Sequence, residues 1–128
     1  MSAFQETGLI LFVSDYARSV AFYRDQVGLP VRFDKDNLTC FQWGGSYLLI
    51  EPAYGQDKIP APNGNSPVLR LNVESIDSAL EGFRGRGITA KKMEFDWGIV
   101  ASFQDPDGYT VELCQWPESL YRDHPSMK

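Results

Sequence analysis

Residues 8–24, GLILFVSDYARSVAFYR, decide the fold of this chain because residues 68–84, VLRLNVESIDSALEGFR, repeat their pattern. Each stretch begins with apolar residues at alternate positions, which is the period of a strand with one face on a core. Each continues, after a polar capping residue, with apolar residues at the three-to-four spacing of a helix. The offset is sixty residues, and it aligns these pairs: Leu9 with Leu69, Leu11 with Leu71, Val13 with Val73, and Tyr23 with Phe83.

Strand-like segments follow each predicted helix. They are Val31–Phe33, Leu38–Trp43 and Tyr47–Glu51 in the first half, and Ala90–Glu94, Gly98–Phe103 and Tyr109–Gln115 in the second. Gly44-Gly45 predicts a two-residue hairpin turn, which places Cys40 and Gln42 on the face away from the helix, whereas a longer turn would reverse the faces.

The predicted organisation is one α+β domain over residues 1–128, made of two βαβββ modules. Module one covers about 7–52 and module two about 67–116, with a proline-rich linker at about 53–66 and a tail at 117–128. Neither module has enough strands to close a core alone, so the two should associate inside the chain, with a curved mixed sheet around a cleft.

Composition narrows the classes of partner. The chain has 128 residues, 43% of them hydrophobic, with a net charge of −5 and a pI near 4.7. This acidity disfavours nucleic acid and anionic membranes, because both require a basic surface.

The N-terminal residues show neither a signal peptide nor a membrane-spanning run, so we expect a cytoplasmic protein. Cys40 and Cys114 could pair by count alone, but two reduced, buried strand cysteines are the favoured interpretation.

Strand alternation predicts which side chains lie on the sheet face away from the helices. That face should carry six candidate ligand-binding residues: Phe12, Tyr47, Glu51, Arg70, Asn72 and Glu112. Trp97, beside Gly98, is a seventh candidate that could stack on a planar ligand at the cleft mouth. A face with apolar, aromatic and charged groups suits a small-molecule pocket, and a dimer interface is the alternative.

Two motifs carry a family resemblance that covers residues 8 to about 115. Val13-Ser14-Asp15 followed by ARSVAFYRDQVGLP, and the closing FQDPDGYTVEL, resemble the vicinal-oxygen-chelate superfamily. This superfamily contains glyoxalase I, extradiol dioxygenases, fosfomycin-resistance enzymes and bleomycin-resistance proteins. The resemblance implies the glyoxalase/bleomycin-resistance fold and a homodimer with composite clefts.

The resemblance also implies where a divalent metal would be held. The four family positions fall on Gly8, Glu51, Val68 and Glu112, so the glutamates match while glycine and valine offer no donor. Two carboxylates would hold an ion weakly and without fixed geometry. The only histidine, His124, lies in the tail. We therefore expect no metal and no other cofactor.

Arg70 is the residue that could replace a metal ion. It lies two residues after Val68 on the same predicted face, and a guanidinium can pair with carboxylates bidentately. We expect Arg70 to pair with Glu51 or Glu112, the alternative being an arginine that extends into solvent.

The sequence thus predicts non-catalytic binding or sequestration of a small planar or hydrophobic compound, as in the bleomycin-resistance branch. One alternative is a glyoxalase-like, metal-dependent lyase or transferase with unexpected donors such as Gln5 or Glu6. A structural dimerisation domain is the other.

Overall fold

The computed structural model describes residues 6–53 and 67–117 of the chain. These residues group into two compact units. The first unit contains residues 6–53 together with 105–109, and the second contains 67–104 together with 110–117. The short turn 105–109 therefore groups with the first unit, although its flanking strands belong to the second.

The first unit is a βαβββ arrangement, as the repeat predicted. Its elements are β1 (Gly8–Val13), α1 (Tyr16–Ala21) with a π-helical continuation (Phe22–Val27), β2 (Val31–Asp34), β3 (Thr39–Trp43) and β4 (Ser46–Pro52). The sheet order is β1-β4-β3-β2, with β1 parallel to β4 and the other pairs antiparallel.

The second unit repeats this plan. Its elements are β5 (Leu69–Asn72), α2 (Ile76–Gly85), β6 (Lys91–Phe95), β7 (Gly98–Gln104) and β8 (Thr110–Gln115). The sheet order is β5-β8-β7-β6, and β5 is parallel to β8. The α+β class and the two modules are confirmed, and the strands form two four-stranded mixed sheets.

Both helices begin at the capping residues that the sequence indicated. The Asp15 carboxylate accepts from the Arg18 amide at 3.1 Å, and the Ser75 hydroxyl accepts from the Ser78 amide at 3.2 Å. Each side chain satisfies an amide that has no partner inside the helix. The first helix differs from the expected regular α-helix because its second half is π-helical, a wider turn that brings residues five apart into line.

The hairpin prediction is also confirmed. Gly44 and Gly45 form the turn, and Trp43 pairs with Ser46. Cys40 therefore pairs with Leu49, opposite the Phe41 face. The Phe41 ring contacts Tyr23 of the π-helical segment at 6.3 Å between centroids. We call the sheet side that contacts the helix the helix face, and the opposite side the far face.

The turn from Asp105 to Gly108 makes polar contacts with the first helix and with the residue that precedes its cap. Asp105 accepts from the Tyr23 hydroxyl at 2.7 Å and from the Asp107 and Tyr109 amides at 3.0 and 2.9 Å. Asp107 accepts from the Ser14 hydroxyl at 2.6 Å. Gly108 closes the turn at φ 90°, a conformation that glycine adopts without strain. The turn predicted from the DPDG motif thus also anchors the start of α1.

Candidate ligand-binding faces

In the second unit, the strand register separates the two sheet faces. Arg70 pairs with Glu112, and Asn72 pairs with Cys114. Side chains of neighbouring residues in register point to the same side of a sheet. The opposite side is the helix face, because Phe103 contacts Phe83 of α2 at 5.4 Å between ring centroids. Arg70, Asn72 and Glu112 therefore lie on the far face, as predicted.

Arg70 and Glu112 form an ion pair on this face. Arg70 Nε and Nη2 both donate to Glu112 Oε1, at 2.8 and 2.5 Å. The side chains are 40% and 19% exposed, so the pair is only partly removed from water. Of the two partners that the sequence allowed for Arg70, the structure shows Glu112.

Aromatic side chains extend this ion pair into a row of flat groups. The Arg70 guanidinium carbon lies 5.7 Å from the Trp97 ring centroid. Trp97 in turn stacks on Phe95, with centroids 5.2 Å apart and planes 6° from parallel. Both rings remain open, at 45% and 44% exposure. We call Arg70, Trp97 and Phe95 the Trp97 stack.

Phe95 is a site residue that the sequence analysis missed. It lies at the end of β6, paired with Gly98, where the chain turns towards β7. Met93, two residues earlier on the same face, is also exposed. The alternation of Met93 and Phe95 along an edge strand was the signal that could have identified Phe95. Two apolar residues alone do not show whether they face the helix or lie on the far face of the sheet.

The first unit carries a second arginine on its far face, which the sequence analysis also missed. Arg32 donates to Glu6 Oε1 and Oε2 at 3.0 and 2.5 Å, and to Gln42 Oε1 at 2.8 Å. It also donates to the Ser46 carbonyl at 3.2 Å and lies 5.6 Å from the centroid of the Tyr47 ring. We call Glu6, Arg32, Gln42 and Tyr47 the Arg32 cluster. A bulge between Val31 and Phe33 breaks the simple alternation of β2, which is why the sequence did not place Arg32.

Three candidate residues of the first unit lie on its far face as expected. Tyr47 pairs with Gln42 across the hairpin and with Gly8 in β1. Phe12 pairs with Glu51, and both side chains are partly buried. Their roles as ligand contacts stay predictions.

Cys40 and Cys114 are both buried and free. Burial raises the pKa of each thiol, while the nearby guanidinium, Arg32 for Cys40 and Arg70 for Cys114, acts in the opposite direction. A raised pKa keeps a thiol protonated and weakly nucleophilic at neutral pH. The cysteines are therefore packing residues of the far faces, in agreement with the interpretation favoured from sequence.

The first-strand metal positions of the family do not offer donors in this chain. A Cβ atom built on Gly8 would fall on the Tyr47 ring, so the ring fills the space into which a donor side chain would extend. Val68, the aligned residue of the second unit, is 54% exposed and carries only methyl groups. Neither position can contribute a ligand.

The two glutamates at the last-strand positions, Glu51 and Glu112, are not equivalent in strand register. Ile10 aligns with Arg70 at the sixty-residue offset, and their partners in register are Leu49 and Glu112. Leu49 therefore corresponds to Glu112, whereas Glu51 corresponds to Cys114. The difference arises because the last strands align at an offset of sixty-three residues, not sixty.

The other candidate donors do not gather into a metal site. Glu112 is bound by Arg70, and Glu6, one of the alternative donors, is bound by Arg32. Gln5 and His124 lie outside the described residues. Within residues 6–53 and 67–117, no group of three or more histidine, cysteine or acidic residues could hold a metal ion. The donor set of the described chain thus does not fit the family's divalent metal.

Comparison with known proteins agrees with this fold. The family model of the glyoxalase/bleomycin resistance protein/dioxygenase superfamily matches residues 6–113. The chain therefore belongs to this superfamily. Among curated relatives, an uncharacterised protein, YraH, of Bacillus subtilis (strain 168) is 25% identical over 117 residues, which cover 80% of this chain and 91% of YraH. A probable lactoylglutathione lyase of Synechocystis sp. (strain ATCC 27184 / PCC 6803 / Kazusa) is 28% identical, covering 80% and 88%.

Solved structures share the architecture at lower identity. TnmS3, an antibiotic binding protein from Streptomyces sp. CB03234, superposes with a TM-score of 0.75 at 22% identity, covering 91% of this chain and 99% of TnmS3. A glyoxalase/bleomycin resistance protein/dioxygenase from Nocardioides gives 0.72 at 24% identity, covering 92% and 87%. These likenesses establish the fold. Among the described residues, no helix has the length and apolarity needed to cross a membrane.

Proposed function

We propose that this chain binds a small, planar, largely apolar compound on the far face of its second unit, without a metal and without catalysing a reaction. The observation that carries the proposal is the Trp97 stack, in which two exposed aromatic rings lie parallel beside a guanidinium fixed by a carboxylate. Such a surface offers flat contact area for another flat molecule.

The charge of the stack indicates which planar compounds it favours. Because Glu112 compensates Arg70, the stack presents no net charge to a ligand. A charged ligand would have to give up the water around its ionic group and would gain no opposite charge in return. A neutral aromatic compound has no such cost. Asn72 is exposed on the same face and offers an amide donor and an acceptor for a polar substituent. Phe12, Tyr47 and Glu51 stay proposed ligand contacts on the far face of the first unit.

The chemistry of the donor positions supports binding without a metal. Gly8 and Val68 lack donors, and Glu112 is held by Arg70. Lewis-acid catalysis requires an ion held in fixed geometry by several protein ligands. Binding without catalysis needs only a complementary surface, and one protein of the same fold, TnmS3, is an antibiotic binding protein. The homodimer and the cytoplasmic location stay predictions.

The relative described as a probable lactoylglutathione lyase favours a second candidate, a metal-dependent lyase. Elemental analysis of the protein purified without chelators separates the two. We expect far less than one divalent ion per chain, whereas one tightly bound ion per chain would favour the lyase.

Titration with a neutral planar probe, 1,8-dihydroxyanthraquinone, tests the binding proposal. We expect saturable binding, and Phe95→Ala should weaken it about fivefold, because an aromatic contact contributes about 1 kcal/mol. Phe33→Ala is the matched control: Phe33 is 48% exposed on β2, the corresponding edge strand of the first unit. Equal weakening by both variants would contradict the assignment of the site to the Trp97 stack. A protein that binds none of a panel of planar compounds would favour a dimerisation domain.

A further inference from the structure

A cavity of about 480 Å³ lies in the first unit, between the first helix and the turn that joins β2 to β3. It is separate from the Arg32 cluster and shares none of that cluster's residues. Its lining residues come from the helical segment, from the facing ends of β2 and β3, which include Asp34 and Thr39, and from the turn between these strands.

A chain of hydrogen bonds fixes the polarity of one wall of this cavity. The Thr39 hydroxyl donates to Asp34 Oδ1 at 2.7 Å. Because this uses the only hydroxyl proton of Thr39, the 2.5 Å contact between Tyr16 Oη and Thr39 Oγ1 must be donated by Tyr16. The Tyr16 hydroxyl proton therefore points to Thr39 Oγ1, and the Thr39 hydroxyl proton points to the Asp34 carboxylate. Tyr16 Oη and Asp34 are left to act as acceptors towards the cavity.

The charges around the cavity, like these acceptors, favour a ligand with a positive charge. Arg24 donates through Nε and Nη2 to the two carboxylate oxygens of Asp25, at 2.8 and 3.0 Å, so its charge is compensated. Asp34 and Asp36 add two negative charges to the lining, against the single ammonium of Lys35. Ala17 and Val20 supply an apolar floor from the helix. The cavity thus combines acceptors and an excess of negative charge with an apolar surface.

We propose that this cavity binds a protonated primary amine that carries a compact apolar body. The ammonium donates to Asp34 and Tyr16, and the apolar body lies on Ala17 and Val20. An ammonium group has three donors and no acceptor, which matches a wall whose own protons are already used. The site is independent of the planar-ligand site proposed for the second unit.

Titration with cyclohexylamine at neutral pH, followed by amide chemical shifts, tests the proposal. Saturable shifts should centre on Ala17, Val20 and Thr39. Cyclohexanol and cyclohexanecarboxylate have the same ring without the positive charge and should cause no saturable shift there. If cyclohexanol binds as well as the amine, or if the amine causes no saturable shift at these residues, the proposal is wrong.

Charge variants sharpen this test because they act in opposite directions. Asp34→Asn keeps an acceptor for Thr39 but removes the charge, and should weaken amine binding about fivefold, as expected for loss of a partly exposed charged contact. Lys35→Gln removes the competing ammonium and should strengthen binding about twofold. Asp77→Asn, at an exposed position of the second unit, is the control and should change nothing. Weakening by Lys35→Gln would contradict the proposal even if Asp34→Asn altered the local fold.

Phe95→Ala separates this site from the planar-ligand site. It should weaken binding of the planar probe and leave cyclohexylamine binding unchanged. Loss of both by this variant would show that the amine does not bind at the helix–turn cavity.

Discussion

The far faces of the two units differ, although both carry an arginine paired with a glutamate beside an aromatic ring. In the first unit, Arg32 donates to Glu6, Gln42 and the Ser46 carbonyl, and the adjacent Tyr47 ring covers Gly8. In the second unit, Arg70 donates to a single oxygen of Glu112, and its aromatic neighbours remain exposed. One arginine is part of a closed network, and the other borders an open aromatic surface.

This difference shows how a duplicated unit can divide its roles. Arg70 reaches the far face from the opening strand β5 and Arg32 from the bulge in β2, and the number of acceptors around each decides whether its donors are already used. A network that satisfies its own donors stabilises the unit and offers little to a ligand. An exposed aromatic stack contributes less to the fold and leaves contact area for binding.

The largest expected effect is a loss of stability at the contact made by Tyr23, a helical residue that aligns with Phe83 of the second unit. Tyr23 donates to buried Asp105, whereas the aligned Phe83 makes an apolar contact with Phe103. Asp105→Ala should lower the free energy of unfolding by about 3 kcal/mol, because two buried donors and one partly buried donor lose their acceptor. Urea denaturation measures this, with Asp77→Ala as an exposed control that should cost less than about 0.5 kcal/mol. Equal losses would mean that the turn is not an anchor of the first unit.

A smaller effect should distinguish the first residues of the two repeats. Gly8→Ala places a methyl group against the Tyr47 ring, which Arg32 restrains, and should cost about 1–2 kcal/mol as overpacking. Val68→Ala, at the aligned and exposed position, should cost much less. In a Tyr47→Ala background, the cost of Gly8→Ala should largely disappear, and a double-mutant cycle by urea denaturation measures that coupling. Additive costs would show that Tyr47 does not fill this space.

The two arginines provide the next comparison. Arg32→Leu should lower the melting temperature more than Arg70→Leu, because the loss of Arg32 leaves more acceptors without a donor than the loss of Arg70. From sequence alone, Arg70→Leu would be expected to lower stability sharply, but the partial exposure of the Arg70–Glu112 pair predicts a modest change. Planar-probe affinity should respond in the reverse order, falling with Arg70→Leu only. A larger melting-temperature loss for Arg70→Leu would contradict the distinction between closed and open networks.

The smallest effect is a pair of opposite pH dependences within the first unit. The hydrogen bond from Arg32 lowers the pKa of Glu6, so Glu6 stabilises the fold above its ordinary pKa, and this contribution is lost as pH falls through the lowered pKa. Burial raises the pKa of Asp105, so its titration contributes stability at low pH that is lost as pH rises through the raised pKa. Denaturation of the wild type, Glu6→Gln and Asp105→Asn between about pH 3 and 7 measures both. The free energy of unfolding of the wild type minus that of Glu6→Gln should grow as pH rises. The free energy of unfolding of the wild type minus that of Asp105→Asn should shrink as pH rises. Slopes of the same sign would contradict these directions.

Local patterns predicted most of the fold and part of the site. The helix starts at Asp15 and Ser75, the Gly44-Gly45 hairpin and the DPDG turn depend on residues close together in the sequence, and each is observed. Strand alternation together with the family resemblance left two partners for Arg70, Glu51 and Glu112, and the structure shows Glu112. The Arg32 cluster was not predicted, because a bulge places Arg32 where alternation does not predict it.

The sequence by itself determined the two βαβββ units and the lack of donors at Gly8 and Val68, because periodicity, capping and side-chain chemistry are local properties. Only the tertiary structure decided that Leu49 corresponds to Glu112, that Tyr47 covers Gly8, and that Phe95 extends the stack. These facts depend on the register between strands distant in the chain. A difference of three residues in that register changes which side chains meet while leaving every local pattern intact.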